Sequence, residues 1–402
     1  MKKIYVGIAV SAAALAVCMS VFMSQADTIN KAVKVSYISE PDSYEYEECD
    51  IEKCYAQADS RYSGQKQDAE YEEVSADDLD DEDVTGENLS IAVWGDSMVE
   101  GIGAGTAVIA TEEGYKNITN YTAPIALQEF TGIATYNFGV GGELSNEIAI
   151  RAGGISLYLD RNLYINSEYP TRASLTDIYG HKISMSDYSG YGYSPNMMPH
   201  TCYINDVLCN VVQIPGTMDV NISICKNVLS SEKQYAFLPK GTIVVPKAAY
   251  EHKGDIQIIE MGSNGGWSSY TELIAQYQSI IANSGSDRYI IVGDTDDPGT
   301  SKADRYQQLM YPDGTYIGTN ETMWEKALHD AFGEHFLNLR VYMIENGLTD
   351  CGVVPDAQDM ADARKGIISA KLRFDWTHFN SYGYYAKGRA LYLKGEELGY
   401  WD

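Results

Sequence analysis

At 402 residues and 45% hydrophobic content, the chain is long and apolar enough for one large or two smaller globular domains, which excludes a fibrous or wholly disordered protein. Its formal net charge of -28 sets 57 Asp and Glu against 29 Lys and Arg. Binding nucleic acid requires a basic face to neutralise phosphates, so nucleic acid is disfavoured as a partner.

The chain opens as a targeting segment. Lys2 and Lys3 precede an apolar run that reaches residue 22, and Ser24-Gln25-Ala26 offers a small-x-small cleavage site. Residues 1–26 therefore read as a bacterial export signal, or as an uncleaved N-terminal anchor, since the run is nearly long enough to span a membrane. Either way the protein is expected to be secreted or held at the cell surface, with that anchor as its one membrane contact. Residues 27–88 follow as an acidic linker. Between residues 27 and 90 there are 20 acidic and 5 basic side chains, ending in Asp77-Asp78-Leu79-Asp80-Asp81-Glu82-Asp83. Such density repels itself and builds no core. Contact with calcium or the cell wall is the sharper alternative to a plain solvated spacer. Of the 7 cysteines, Cys18 falls within the targeting segment. Export permits disulfides, with Cys49 to Cys54 and Cys202 to Cys209 as the local candidates.

From residue 89 the pattern turns α/β. Residues 89–94 form a short apolar run ending at Gly95, suited to a buried parallel strand. A helix is expected over 121–130, a strand over 134–137 and a helix over 144–151. Strands follow at 255–260 and 288–292, with an amphipathic helix at 270–282 between them. Residues 322–332 read as a helix, 335–339 as a fifth strand and 381–398 as the closing helix. Alternation of this kind predicts a parallel sheet covered on both faces. Ligands bind such sheets at the carboxyl ends of the strands, where Gly95, Gly142, Gly262 and Asp294 all fall.

Residues 155–248 break the rhythm. Short alternating runs at 157–159, 163–165, 182–185, 211–214 and 220–224 are punctuated by Gly, Pro, Asn and Ser, which predicts an inserted β-rich subdomain. The turn Tyr188-Ser189-Gly190-Tyr191-Gly192-Tyr193 could stack on sugars, although Tyr is also a common strand residue. The expected organisation is thus 1–26, 27–88, an α/β domain made of 89–154 and 249–402, and the insertion 155–248.

Four segments carry chemistry. Gly95-Asp96-Ser97-Met98 places a serine directly after a buried strand, where a base can activate its hydroxyl. Asn137-Phe138-Gly139-Val140-Gly141-Gly142 lets backbone N–H groups approach a developing oxyanion, with Gly142 as the donor. Gly262-Ser263-Asn264 brings a side-chain amide to the same place. Asp375-Trp376-Thr377-His378 supplies a base of near-neutral pKa and a carboxylate to orient it. Each has an ordinary structural alternative: a turn serine, a tight glycine turn, an Asx turn, and an Asp helix cap beside a packed histidine. His181, His200, His252, His329 and His335 lack a comparable sequence setting. Gly101-Ile102-Gly103-Ala104-Gly105 has the wrong glycine spacing for a dinucleotide loop, and no Gly-x-Ser-x-Gly elbow is present.

Together the segments resemble the four blocks of the SGNH/GDSL hydrolase family, in the family's order. The resemblance extends over 336–343, 372–384 and 398–401, and covers about residues 89–402 apart from the insertion. It implies a flavodoxin-like three-layer sandwich with a five-stranded parallel sheet, Ser97 as nucleophile, and an oxyanion hole made of Ser97, Gly142 and Asn264. It also implies His378 as base with Asp375 as its partner. Gly265 stands where the family carries Asp, which predicts altered support of that loop. The expected activity is an exported serine esterase acting through an acyl-enzyme. It needs no metal or cofactor, and its substrate is expected to be a small acyl group, such as acetyl, on a carbohydrate or cell-wall glycan. A lipase or lysophospholipase activity and a non-catalytic glycan-binding surface protein are the alternatives. Trp267 is a candidate for lining the substrate cleft, with core packing as its alternative.

Overall fold

The computed structural model describes residues 89–111, 114–185, 200–214, 216–225, 234–296 and 309–401. The targeting segment, the acidic stretch, Cys49, Cys54 and the Tyr-rich turn at 188–193 lie outside the described residues.

In chain order, β1 (Ser90–Gly95) leads into the one-turn helix α1 (Ser97–Glu100), the hairpin β2 (Thr106–Thr111) and β3 (Gly114–Thr119), and then α2 (Ala123–Thr131). β4 (Ala134–Gly139) and α3 (Ser145–Arg151) complete the first half of the main sheet. The insertion supplies β5 (Leu157–Leu159), β6 (Leu163–Asn166), β7 (Thr171–Thr176), β8 (Lys182–Ile183) and β9 (His200–Ile204). It continues through β10 (Val207–Gln213), β11 (Asp219–Ile224), β12 (Tyr235–Leu238) and β13 (Ile243–Pro246). The short α4 (Lys247–Glu251) returns the chain to β14 (Ile256–Glu260), α5 (Tyr270–Ser284), β15 (Tyr289–Val292), α6 (Met323–Phe332) and β16 (Phe336–Leu337). Helices α7 (Leu339–Glu345), α8 (Gly347–Asp350), α9 (Ala357–Lys365) and α10 (Ser381–Glu397) finish the described chain.

The main sheet has five strands, ordered β16-β15-β14-β1-β4 and parallel throughout. Counted along the sheet's own strands from one edge, this is 2-1-3-4-5, a doubly wound order. Alternating residues explain the layers. Ile91, Val93, Ile256, Ile258, Ile290 and Val292 meet a core that includes residues of α2, α7, α8 and α10. Ala92, Trp94, Ile259, Ile291 and Phe336 meet a second core shared with α3, α5 and α6. Both faces are buried, which is why β1 reads as a continuous apolar run from Ile91 to Trp94 and β14 is dominated by isoleucine. Helix α10 lies close on α2 because Gly388 carries no side chain: a Cβ there would fall 2.3 Å from that of Ala126. Local signals end the helices as expected. Ser269 caps α5 by accepting from Glu272 N–H, and Thr322 and Glu325 form a capping box at α6.

Two expectations shift. The strand expected at 335–339 is only Phe336–Leu337, because Asn338 caps a helix, accepting from Val341 N–H at 3.1 Å. Residues 106–111 and 114–119, which carried no strand expectation, pair as the antiparallel strands β2 and β3.

The insertion closes on itself. β11-β10-β9-β13-β5-β7 run antiparallel, β11 pairs with β7 to seal a six-stranded barrel, and β8 extends β7. Leu157, Leu175, Ile204, Val211, Val220 and Ile222 fill its interior. β6 and β12 pair alongside as a two-stranded ribbon. Cys202 and Cys209 stand opposite each other in the β9–β10 register, yet both are free buried thiols, so the disulfide expected between them is not formed. Burial pushes the Cys209 thiol up to about 12 and the Cys202 thiol higher still, which depletes the thiolate that disulfide formation needs.

Candidate active site

β1, β4, β14 and β15 end at one edge of the sheet, and their following loops carry Ser97, Gly142, Asn264 and Asp296. Ser97 is the first residue of α1. Asp96 caps that helix, its Oδ1 accepting from Met98 N–H at 3.0 Å. The turn from β1 is tight enough that a Cβ on Gly95 would strike Val99 and the Glu260 carbonyl.

The loop after residue 372 brings the histidine over the serine. His378 Nε2 lies 2.9 Å from Ser97 Oγ, and His378 Nδ1 lies 2.8 Å from Asp375 Oδ2. A ring donating from Nδ1 to a carboxylate presents Nε2 as an acceptor, which suits removal of a hydroxyl proton. The loop holds itself in shape: Asp375 Oδ1 accepts from the backbone N–H of Thr377 and His378, at 2.9 and 2.7 Å. Phe374 N–H donates to the His378 carbonyl at 2.9 Å. Partial burial pushes the Asp375 carboxyl up. The His378 ring and these backbone donors outweigh that and hold it below the usual carboxylate range.

Gly142 adopts φ 81°, a left-handed conformation that favours glycine. Its neighbours fix the turn. Gly141 N–H donates to Glu100 Oε2 at 2.6 Å, and a Cβ on Gly141 would fall 3.7 Å from that of Ser97. Asn264 Nδ2 donates to Asp96 Oδ2 and to the Glu143 carbonyl, each at 3.1 Å, so the amide bridges the loops after β1 and β4. The loop bearing Asn264 is also tied to the start of α3, where Ser145 N–H donates to the Gly265 carbonyl at 3.0 Å.

The structure thus brings Ser97, His378 and Asp375 into one hydrogen-bonded line and joins Asn264 to the carboxylate preceding Ser97. Trp267 donates from Nε1 to the Gly262 carbonyl at 2.9 Å and packs on Trp324 and Tyr270, contacts that shape the base of the Asn264 loop.

Several participants carried no sequence expectation. Asp96 is 2% exposed, and its carboxyl is raised to about 7, first by burial and then by the nearby Glu260 and Asp296 charges, against the Met98 N–H and Lys387. Glu143 is buried and raised by that burial despite Arg151, whose guanidinium grips it at 2.6 to 3.1 Å. Arg151 also reaches the Gly95 carbonyl at 3.3 Å and lies over Trp94. Lys387 forms a buried ion pair with Glu260 and donates to the Met98 carbonyl at 2.9 Å, beneath the helix that begins with Ser97. Asp96 and Glu143 sit within or beside motifs already in view. Glu260 and Lys387 had no local signal.

A histidine–carboxylate pair does not by itself mark this site. His181, His252 and His329 also have carboxylate partners, at 2.9, 2.7 and 2.6 Å. What distinguishes His378 is the serine hydroxyl on its other nitrogen. Among the described residues, no group of three or more His, Cys, Asp and Glu is disposed to hold a metal ion.

No protein-family model matches the chain, and neither does any curated protein. A solved structure described as "Peptidoglycan O-acetylesterase in action, 5 min" aligns over 78% of this chain and 92% of its own, at 12% identity and a TM-score of 0.27, too slight a likeness to establish a common fold or activity.

Proposed function

We propose that the protein is a serine esterase of the SGNH/GDSL type that cleaves a carboxylic ester through an acyl-enzyme. One observation carries the proposal: Ser97 Oγ, His378 and Asp375 stand in sequence at 2.9 and 2.8 Å on the carboxyl edge of a parallel sheet. In this scheme Ser97 Oγ attacks the ester carbonyl and His378 Nε2 takes the hydroxyl proton. Asp375 steadies the resulting imidazolium. The tetrahedral oxyanion receives hydrogen bonds from Ser97 N–H and Gly142 N–H, and from the Asn264 amide once one of its two N–H groups turns away from Asp96 or the Glu143 carbonyl. Collapse breaks the bond to the leaving alcohol, which takes its proton from His378. Water, deprotonated by the same imidazole, then attacks the acyl-enzyme; the acyl–Oγ bond breaks, Ser97 Oγ takes the proton back from His378, and the carboxylic acid leaves. The protein's own side chains and backbone supply every group in the scheme.

The substrate class we favour is a small acyl group, such as acetyl, on a carbohydrate or cell-wall glycan. Its support is the export-type N-terminus and the presence of a separate β-barrel inserted in the hydrolase-like sheet. Release of free acetate from an acetylated glycan, set against turnover of long-chain esters, separates this from a lipase-type activity.

The deciding experiment is reaction of the purified protein with a fluorophosphonate probe, followed by mapping of the labelled peptide. Labelling at Ser97 is expected, and its loss in His378→Ala. Absence of labelling on folded protein removes the esterase assignment and turns attention to glycan binding by the barrel.

A further inference from the structure

We infer that Asp296 is a positioning residue that ties the loop bearing the oxyanion donor to the loop bearing the base. Its role in turnover rests on the esterase assignment above; the tie itself does not. Asp296 lies after β15 and is 4% exposed. One carboxylate oxygen accepts the Ser263 hydroxyl at 2.5 Å, and the other accepts the Thr377 hydroxyl. Ser263 immediately precedes Asn264, and Thr377 immediately precedes His378. One buried carboxylate therefore holds the residue before the amide donor and the residue before the base.

The chemistry explains why an acid stands here. Two hydroxyl donors converge from different loops, and an ionised carboxylate offers each its own oxygen. Its own segment is anchored in turn. Asp296 N–H donates to Asp294 Oδ2 at 3.3 Å, and Arg373 Nη2, two residues before Asp375, donates to the Thr295 carbonyl at 2.5 Å. Gly265 occupies the position where a loop-supporting acid was expected from the family pattern, and Asp296 supplies an acid to the same loop from the neighbouring strand.

A clamp of this kind makes a specific prediction: release at one end loosens the other. Hydrogen exchange in the full-length protein reads both loops, through Gly265 N–H, bonded to the Gly262 carbonyl, and through Phe374, Thr377 and His378 N–H. Ser263→Ala is expected to raise exchange at 374–378 as well as in its own loop. Thr377→Val is expected to do the reverse, raising exchange at residue 265. Asp296→Ala is expected to loosen both. Asp296→Asn is expected to be milder, since one hydroxyl can turn to accept from the amide. Turnover of a small ester should fall about tenfold in Ser263→Ala and in Thr377→Val with KM little changed, because misplacing a catalytic group by ~1 Å can cost on the order of a hundredfold. The double variant should lose no more than Asp296→Ala does.

Exchange changes confined to the mutated loop, or additive losses of turnover, overturn the clamp. Failure of wild-type Ser97 to react with the probe overturns the esterase assignment instead, and cross-loop exchange still decides whether the clamp exists.

Discussion

Asp96 combines two duties that pull against its burial. Its Oδ1 caps the helix that begins with Ser97, and its Oδ2 holds the Asn264 amide. Both bonds favour an ionised carboxylate, yet burial raises the group to about 7 from 3.8. The folded protein therefore keeps a proton at pH values where the unfolded chain has lost it. The stabilising contribution of the protonated form is complete below about pH 4 and is lost as pH rises through about 7. Asp96→Asn, which cannot ionise, removes this slope. Relative to wild type the variant should gain stability between about pH 4 and pH 7, by a few kcal/mol at most. Any fixed penalty from turning an amide N–H toward Met98 or Asn264 does not vary with pH and cancels from the slope. Denaturant unfolding at several pH values tests this, and parallel curves for the two proteins would contradict it. Asp375 acts in the opposite sense. Held below the usual carboxylate range, it stabilises the fold above its unfolded value and loses that contribution only as pH falls.

At the scale of elements, the helix that begins with Ser97 has one turn and cannot hold itself in place. It is fixed from below. Lys387 in the middle of α10 donates to the Met98 carbonyl at 2.9 Å and pairs with Glu260 at the end of β14, and both side chains are at most 8% exposed. Removing one member of a buried pair strands the other charge, at a cost of about 3–5 kcal/mol, while replacing both with neutral residues can be nearly neutral. Lys387→Met is therefore expected to destabilise the protein by that amount in urea unfolding. Lys387→Met combined with Glu260→Gln should recover most of the loss. A double variant as unstable as the single would show that packing, not charge, makes Lys387 matter. What the sequence could and could not reveal follows the same division. Ser97 stood out because its short motif follows a strand, and Asp375 and His378 because a carboxylate and an imidazole lie three residues apart in one short segment. Strand β1 was legible because burial on both faces leaves an apolar run from Ile91 to Trp94, and β14 because Ile256, Ile258 and Ile259 dominate a short segment. The Glu260–Lys387 and Ser263–Asp296–Thr377 contacts join residues far apart in the chain, and no local pattern marks them. α7 went unread because its apolar residues continue from β16, although Asn338, a favourable cap, stood at the boundary.

For the molecule as a whole, the barrel is an insertion that disturbs the sheet little. Its first and last strands are partners: Leu157 stands opposite Val244, and Tyr158 opposite Ile243. The chain therefore enters and leaves at neighbouring points, and directly opposite strand residues are roughly 5 Å apart. The barrel also fills its own interior, and its β7–β11 closure leaves β8 to extend the sheet at one side. Among the described residues, Ile155 packs against both the barrel core and the core shared with α3, α5 and α6, and Tyr203 of β9 donates to Glu251 of α4 at 3.4 Å. Ile150 of α3 packs into the barrel core, and Tyr203 of β9 meets Tyr250 of α4. Replacing residues 158–243 with a short Gly-Ser link should thus leave the parallel sheet and its serine in place. The expected loss is about 2 kcal/mol for the newly exposed Ile150, with smaller terms from the aromatic contact. The shortened protein should still react with a fluorophosphonate at Ser97 and hydrolyse a small soluble ester at a rate close to that of the full chain. If the barrel serves to hold a polymeric substrate, release of acetate from an acetylated glycan should fall far more than hydrolysis of the small ester. Equal loss on both substrates would mean that the barrel shapes the catalytic edge itself, and equal retention would remove it from substrate binding altogether.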